Sequence, residues 1–143
     1  MFKMTREIKN RLELMGYEVE TLEFPDLNGV YIECESRCGT PYSIWFMSTD
    51  DENDVGVRVE DLFSNLSKDE QRRVLPLFND INANGDKKIY CDPDGDVFLS
   101  YDFTESCPAP VEYVPEMIAD IKRMVDEIMP GLKKAIAPRD TDD

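Results

Sequence analysis

The apolar residues of this chain change their spacing several times, and those changes narrow what it can fold into. Met4, Ile8, Leu12 and Met15 recur every three or four residues, the spacing of one helix face. From Val30 the period drops to two. Val30, Ile32 and Cys34 alternate with Tyr31, Glu33 and Glu35, as in a strand with one buried and one wet face. Tyr42 to Met47 holds Ile44, Trp45, Phe46 and Met47, apolar on both faces, which marks a central strand. Val55, Val57 and Val59 alternate again. Helical spacing returns at Val74, Leu77, Phe78 and Ile81. Lys88–Cys91 and Val97–Phe103 then frame Asp92-Pro93-Asp94-Gly95, a hairpin turn, with Val97, Leu99, Tyr101 and Phe103 facing one way. The cleanest helical stripe comes last, in Val114, Met117, Ile118, Ile121, Met124, Val125, Ile128 and Leu132. The predicted class is α+β: a helix, an antiparallel strand meander, a helix, a β-hairpin and a C-terminal amphipathic helix.

Local chemistry sets the boundaries. Gly16 stops the first helix. Tyr17, Val19 and Leu22, set among glutamates, predict a strand over 17–24. Pro25-Asp26-Leu27-Asn28-Gly29 predicts a turn in which Asn28 or Gly29 takes a positive φ. Cys38-Gly39-Thr40-Pro41 predicts a second turn, and the acidic stretch Asp50 to Asp54 is too polar to bury and reads as a loop. Ser67 and Glu70 form a capping box that opens the middle helix. Pro76 is expected to kink or split that helix near Arg72 to Leu75, and Asn82 to Asp86 to end it. Pro115 suits the first turn of the last helix. Pro130-Gly131 should interrupt that helix, with Leu132 to Ile136 as a short continuation. With no internal repeat and no long linker, residues 1–137 read as a single domain and the polar residues 138–143 as a frayed tail.

Composition bounds the partners. The chain has 143 residues, 41% of them hydrophobic, enough for one globular core. Its formal net charge is −15. Such a surface repels nucleic-acid phosphates and anionic lipid headgroups, so neither nucleic acid nor membrane is an expected partner. It favours basic or extended protein segments, chiefly by steering encounter, and it also keeps the protein soluble. Met1 to Glu7 runs straight into charged residues with no apolar signal core, and no stretch is apolar enough to span a membrane. The expected location is cytoplasmic, with reduced cysteines. The Asn65-Leu66-Ser67 glycosylation triplet is then irrelevant.

Catalytic chemistry is hard to assemble from these residues. There is no histidine, so a cysteine nucleophile lacks its usual base. The carboxylates are spread over turns and wet faces. Asp80-Ile81-Asn82-Ala83-Asn84-Gly85 opens like a calcium loop, but the twelfth position is Cys91 instead of glutamate and the eighth is Lys87. An Asx-rich turn explains the segment as well. Cys34, Cys38, Cys91 and Cys107 lack the paired spacing of a zinc site. The expectation is a non-enzymatic protein with no catalytic residue, metal or cofactor. Met117, Met124 and Met129 lie on or beside the last helix's stripe, where methionine suits either core or an adaptable contact. The candidate partner-binding residues are Trp45, Met47, Met124 and Ile128. The alternative is a metal- or ligand-binding sensor using Asp80, Asn82 and Asn84.

Three runs carry a family likeness: Leu75-Pro76-Leu77-Phe78-Asn79-Asp80-Ile81-Asn82, then Lys87-Lys88-Ile89-Tyr90, then Asp94-Gly95-Asp96-Val97-Phe98-Leu99. Together with the opening helix that ends at Gly16-Tyr17-Glu18-Val19, they resemble the YbjN-like family, described as bacterial sensory transduction regulators. The resemblance implies the fold of type III secretion chaperones, ordered as a helix, three strands, a helix, two strands and a helix. It also implies a cytoplasmic, non-enzymatic protein that acts by binding other proteins, often as a homodimer. The family has no defined active site, so no functional residue carries over.

Overall fold

The computed structural model describes residues 1–48, 55–84, 87–103 and 110–137. Its elements are α1 (Lys3–Leu14), β1 (Glu20–Phe24), β2 (Leu27–Glu35), β3 (Pro41–Ser48), β4 (Val55–Phe63), α2 (Lys68–Asn84), β5 (Lys88–Cys91), β6 (Val97–Phe103) and α3 (Pro110–Ile136). The α+β class and the element order follow the expectation. One strand more precedes α2 than the order implied by the family resemblance. The strands form one antiparallel sheet in the order β1-β2-β3-β4-β6-β5.

Period-two alternation builds the core. Val30 pairs with Phe46 and Phe46 with Val57; Ile32 pairs with Ile44, Ile44 with Val59, and Val59 with Leu99. These side chains share one face of the sheet and are buried. The three described helices pack on that face. α1 contributes Ile8 and Leu12, α2 Val74 and Phe78, and α3 Ile118, Ile121, Val125, Met129 and Leu132. Each fully buried aliphatic side chain here stabilises the fold by about 1.5–3 kcal/mol before ordering costs.

Several ends are made as the sequence implies. At Gly16 (φ 93°) the N–H groups of Gly16 and Tyr17 reach back to Glu13 and Leu12, tying off α1 with a left-handed residue. The capping box of α2 closes both ways, Ser67 N–H to Glu70 at 2.9 Å and Glu70 N–H to Ser67 at 3.1 Å. In the β5–β6 hairpin the Asp92 carboxylate accepts from Asp94 and Asp96 N–H, an Asx turn. Gly95 (φ 85°) then presses against the β4–α2 connection, where its carbonyl accepts from Leu66 N–H. A Cβ at Gly95 would lie 2.4 Å from the Leu66 carbonyl oxygen. Only glycine fits that contact.

Other expectations are overturned. The first strand is shorter than 17–24 and begins at Glu20. Asn28 and Gly29 are not turn residues. The turn is Pro25-Asp26, and β2 already runs from Leu27. Asn28 instead uses its side chain to hold Phe2 N–H and the Phe24 carbonyl. Pro76 does not split α2, which runs unbroken through Asn84 and ends within the Asn82 to Asp86 segment as expected; Pro76 is exposed, while Val74 and Phe78 on either side are buried. Pro115 is not in the first turn, since α3 opens at Pro110. Pro130-Gly131 does not interrupt α3. Met129 and Leu132 flank the pair, both essentially inaccessible, and their packing outweighs one lost helical hydrogen bond. The acidic loop Asp50 to Asp54, Gly85 and Asp86, Cys107 and the tail 138–143 lie outside the described residues.

Candidate protein-interaction face

The strand positions that do not enter the core form the other face of the sheet. Among the described residues no helix lies over it. Its side chains follow from register. Glu20, Tyr31, Trp45, Arg58, Ser100 and Lys88 stand opposite one another across all six strands. The adjoining row on β1 to β4 is Leu22, Gly29, Met47 and Gly56. Phe98 and Tyr90 are paired on β6 and β5.

The aromatic members of this face touch in two groups. Tyr31 and Trp45 stack with ring centroids 4.1 Å apart. The Arg58 guanidinium lies 4.1 Å over the Phe98 ring, and Phe98 meets Tyr90 at 5.6 Å. Such pairs each contribute about 0.5–1.5 kcal/mol beyond area burial. The Trp45 ring also leans over Gly29, whose missing side chain leaves space for it: a Cβ there would sit 3.5 Å from the ring. At the β1 margin Leu22 and Phe24 are 40% and 50% exposed, and at the β5 margin Tyr90 is 46% exposed.

Polar groups orient this face. Trp45 Nε1 donates to Ser43 Oγ at 3.0 Å, and Ser43 Oγ donates to Asp61 at 3.3 Å. Asp61 sits at φ 68° where the β4–β6 register shifts, so the bulge turns its carboxylate toward Ser43. Glu33, Ser43 and Glu60 form the next row. Burial pushes the Glu60 carboxyl up, while Arg58, at 2.9 Å, pulls it back.

The four residues singled out from sequence divide between two faces. Trp45 and Met47 are half-buried on the open face. Met124 and Ile128 are half-buried on α3 and pack against the core on the helix side. The structure therefore joins the first two and separates them from the last two. Tyr31, Arg58, Phe98 and Tyr90 were missed. Each occupies the out-of-phase place beside a buried aliphatic residue, so period-two reading carried the signal.

Of the residues Asp80, Asn82 and Asn84, Asn82 is engaged by β5. Asn82 accepts from Ile89 N–H at 2.7 Å and donates to the Ile89 carbonyl at 3.0 Å. Its amide acts as a short strand partner along the outer edge of β5, and both polar ends are committed there. Among the described residues no three Cys, Asp or Glu side chains gather as a metal group. Cys34, Cys38 and Cys91 are free thiols. Cys38 is exposed, and a hydrogen bond from Ser36 with lesser ones from Thr40 and Lys133 hold its thiol below the ordinary value. Burial pushes the thiols of Cys34 and Cys91 up. Among the described residues no helix is long and apolar enough to cross a membrane.

No protein-family model matches the chain, and no curated protein matches it significantly.

Proposed function

We propose that this chain is a non-enzymatic, cytoplasmic protein-binding module of the YbjN-like type, regulator-like or chaperone-like. In this reading it receives an extended segment of another protein across the open sheet face around Trp45 and Met47, and it works as a homodimer. The observation that carries the reading is the uncovered aromatic row from Tyr31 through Trp45, Arg58 and Phe98 to Tyr90. A sheet face of this kind loses water favourably when a flat apolar surface covers it. The free edge of β1 offers backbone hydrogen bonds to an added strand beside it. Charge selects the occupant. Glu20, Glu23, Glu33 and Glu60 lie on the β1 strand and the open face within a chain of net charge −15. A segment alternating Lys or Arg with apolar residues complements that pattern.

The test is a pull-down with the wild-type chain and Trp45→Ala at low and moderate salt, read by mass spectrometry, with sedimentation for the dimer. A partner held by wild type, lost with Trp45→Ala and weakened by salt supports the reading. A partner retained equally by Trp45→Ala, or none at all, removes it.

A further inference from the structure

The helix side of the molecule holds a second feature, of opposite charge. Between α2 and the edge strand β5 lies a cleft of about 470 Å³. Its floor is apolar, formed by Leu75, Phe78 and Tyr90. Its rim carries Lys68 and Arg72, with the Asn79 amide beside them. Leu75 is 54% exposed, so this apolar surface is open to solvent. No described Asp or Glu lines the cleft, although the chain holds 31 acidic residues against 16 basic ones. A neighbouring cleft shares Arg72 and adds Arg73 and Lys134, again with no described acid in its lining.

The two rim cations are placed where a helix does not favour them. Lys68 stands in the first turn of α2, at the positive end of the helix dipole. Arg72 follows four residues on, a like-charge spacing that costs a few tenths of a kcal/mol. Neither has an ion-pair partner among the described residues. Asp69, the nearby acid on α2, is engaged by Arg73 at 3.4 Å. Two unneutralised cations above an apolar floor, on an otherwise acidic protein, form a receptor for a molecule with the complementary split. The volume falls within the range of small-molecule sites.

We propose that this cleft binds a small amphipathic carboxylate, an anion on an apolar body. Its carboxylate lies between Lys68 and Arg72, and its apolar body covers Leu75, Phe78 and Tyr90. The site meets the open sheet face at Tyr90, the last residue of the aromatic row, but involves neither Trp45 nor Met47 and does not depend on the function proposed for that face.

The probe is decanoate, kept below its micelle concentration and titrated into the full chain, with amide chemical shifts followed by NMR. Acetate supplies the head alone and decanol the body alone. The expected result is saturable decanoate binding with shifts centred on Gln71, Asn79 and Tyr90. Acetate does not saturate and decanol binds at least fivefold more weakly. Arg72→Gln and Lys68→Gln each weaken decanoate about tenfold, and Leu75→Ser, at an exposed position, weakens it without loss of fold. Non-saturating decanoate, equal binding by both glutamine variants, equal binding of decanol, or shifts centred on Trp45 would each overturn the proposal.

Discussion

The two faces of this sheet are made from the same strands, one residue out of phase, yet they solve different problems. The covered face is aliphatic but for Phe46 in this set and without gaps in its pattern: Val30, Ile32, Ile44, Phe46, Val57, Val59 and Leu99 are all essentially inaccessible. The open face is aromatic and mixed: Tyr31 stacks on Trp45, Arg58 lies over Phe98 and Phe98 meets Tyr90, with Trp45 and Arg58 opposite each other in register. Aliphatic side chains interdigitate well against helices, and their value lies in exclusion of water. Aromatic rings and a guanidinium can satisfy one another edge to face while still offering a broad surface to a second molecule. The difference teaches that the phase of a strand position matters more than its hydrophobicity. Ile44 and Trp45 are neighbours in sequence and belong to different functions.

That contrast can be broken most directly at those neighbours. Ile44→Ala should cost about 2–5 kcal/mol, the usual range for a cavity at a fully buried site, measured by urea unfolding. Trp45→Ala should cost much less, about 1 kcal/mol for the lost stack, and should instead abolish partner capture. Equal destabilisation by the two would mean that the open face is part of the core. Next in size is Asn82→Ala. It leaves the outward N–H and carbonyl of Ile89 without partners, for about 1–3 kcal/mol, and should raise self-association measured by light scattering. No change in either quantity would show that the β5 edge needs no guard.

A smaller test compares thiols on the two sides. Cys34 lies in phase with the covered face and burial raises its thiol; Cys38 lies at the exposed β2–β3 turn and its hydrogen bonds lower it. A lowered value means more thiolate at pH 7.5, a raised one less. Cys38 should therefore be alkylated by iodoacetamide before Cys34 and Cys91, and the increase of its rate with pH should set in at a lower pH than theirs, as followed by peptide mass mapping. The smallest expected effect is at the cap. Ser67→Ala should cost about 1 kcal/mol and leave partner capture unchanged.

Much of the fold was legible in the sequence because it rests on period. The hairpin strands Lys88–Cys91 and Val97–Phe103 and the α3 stripe follow from apolar spacing alone. The errors fall where tertiary packing outweighs local preference. Pro76 and Pro130 forfeit a hydrogen bond each, but the buried neighbours Val74, Phe78, Met129 and Leu132 keep their helices whole. Gly29 reads as a turn residue until its cross-strand relation to Trp45 is known. The candidate site was half legible. Trp45 and Met47 were found from apolarity on both faces of β3. Period two puts their neighbours Tyr31, Arg58, Phe98 and Tyr90 on the same face, but register decides who meets whom. Asn82 reads as a ligand by spacing and serves as an edge partner by position, which only the β5 pairing reveals.

That edge partner has a consequence for how this protein can assemble. A sheet that lengthens by adding strands needs a free margin on both sides of each unit. Here β5 is only four residues long, and its second residue, Ile89, already has both backbone groups occupied by Asn82. Among the described residues the β1 side has no such side-chain partner, so edge pairing is favoured there and the unit approaches a single valence. Addition of a partner strand, or of a second copy about a two-fold axis, uses up that single valence and terminates growth. Growth from margin to margin is opposed at β5 by one side-chain amide.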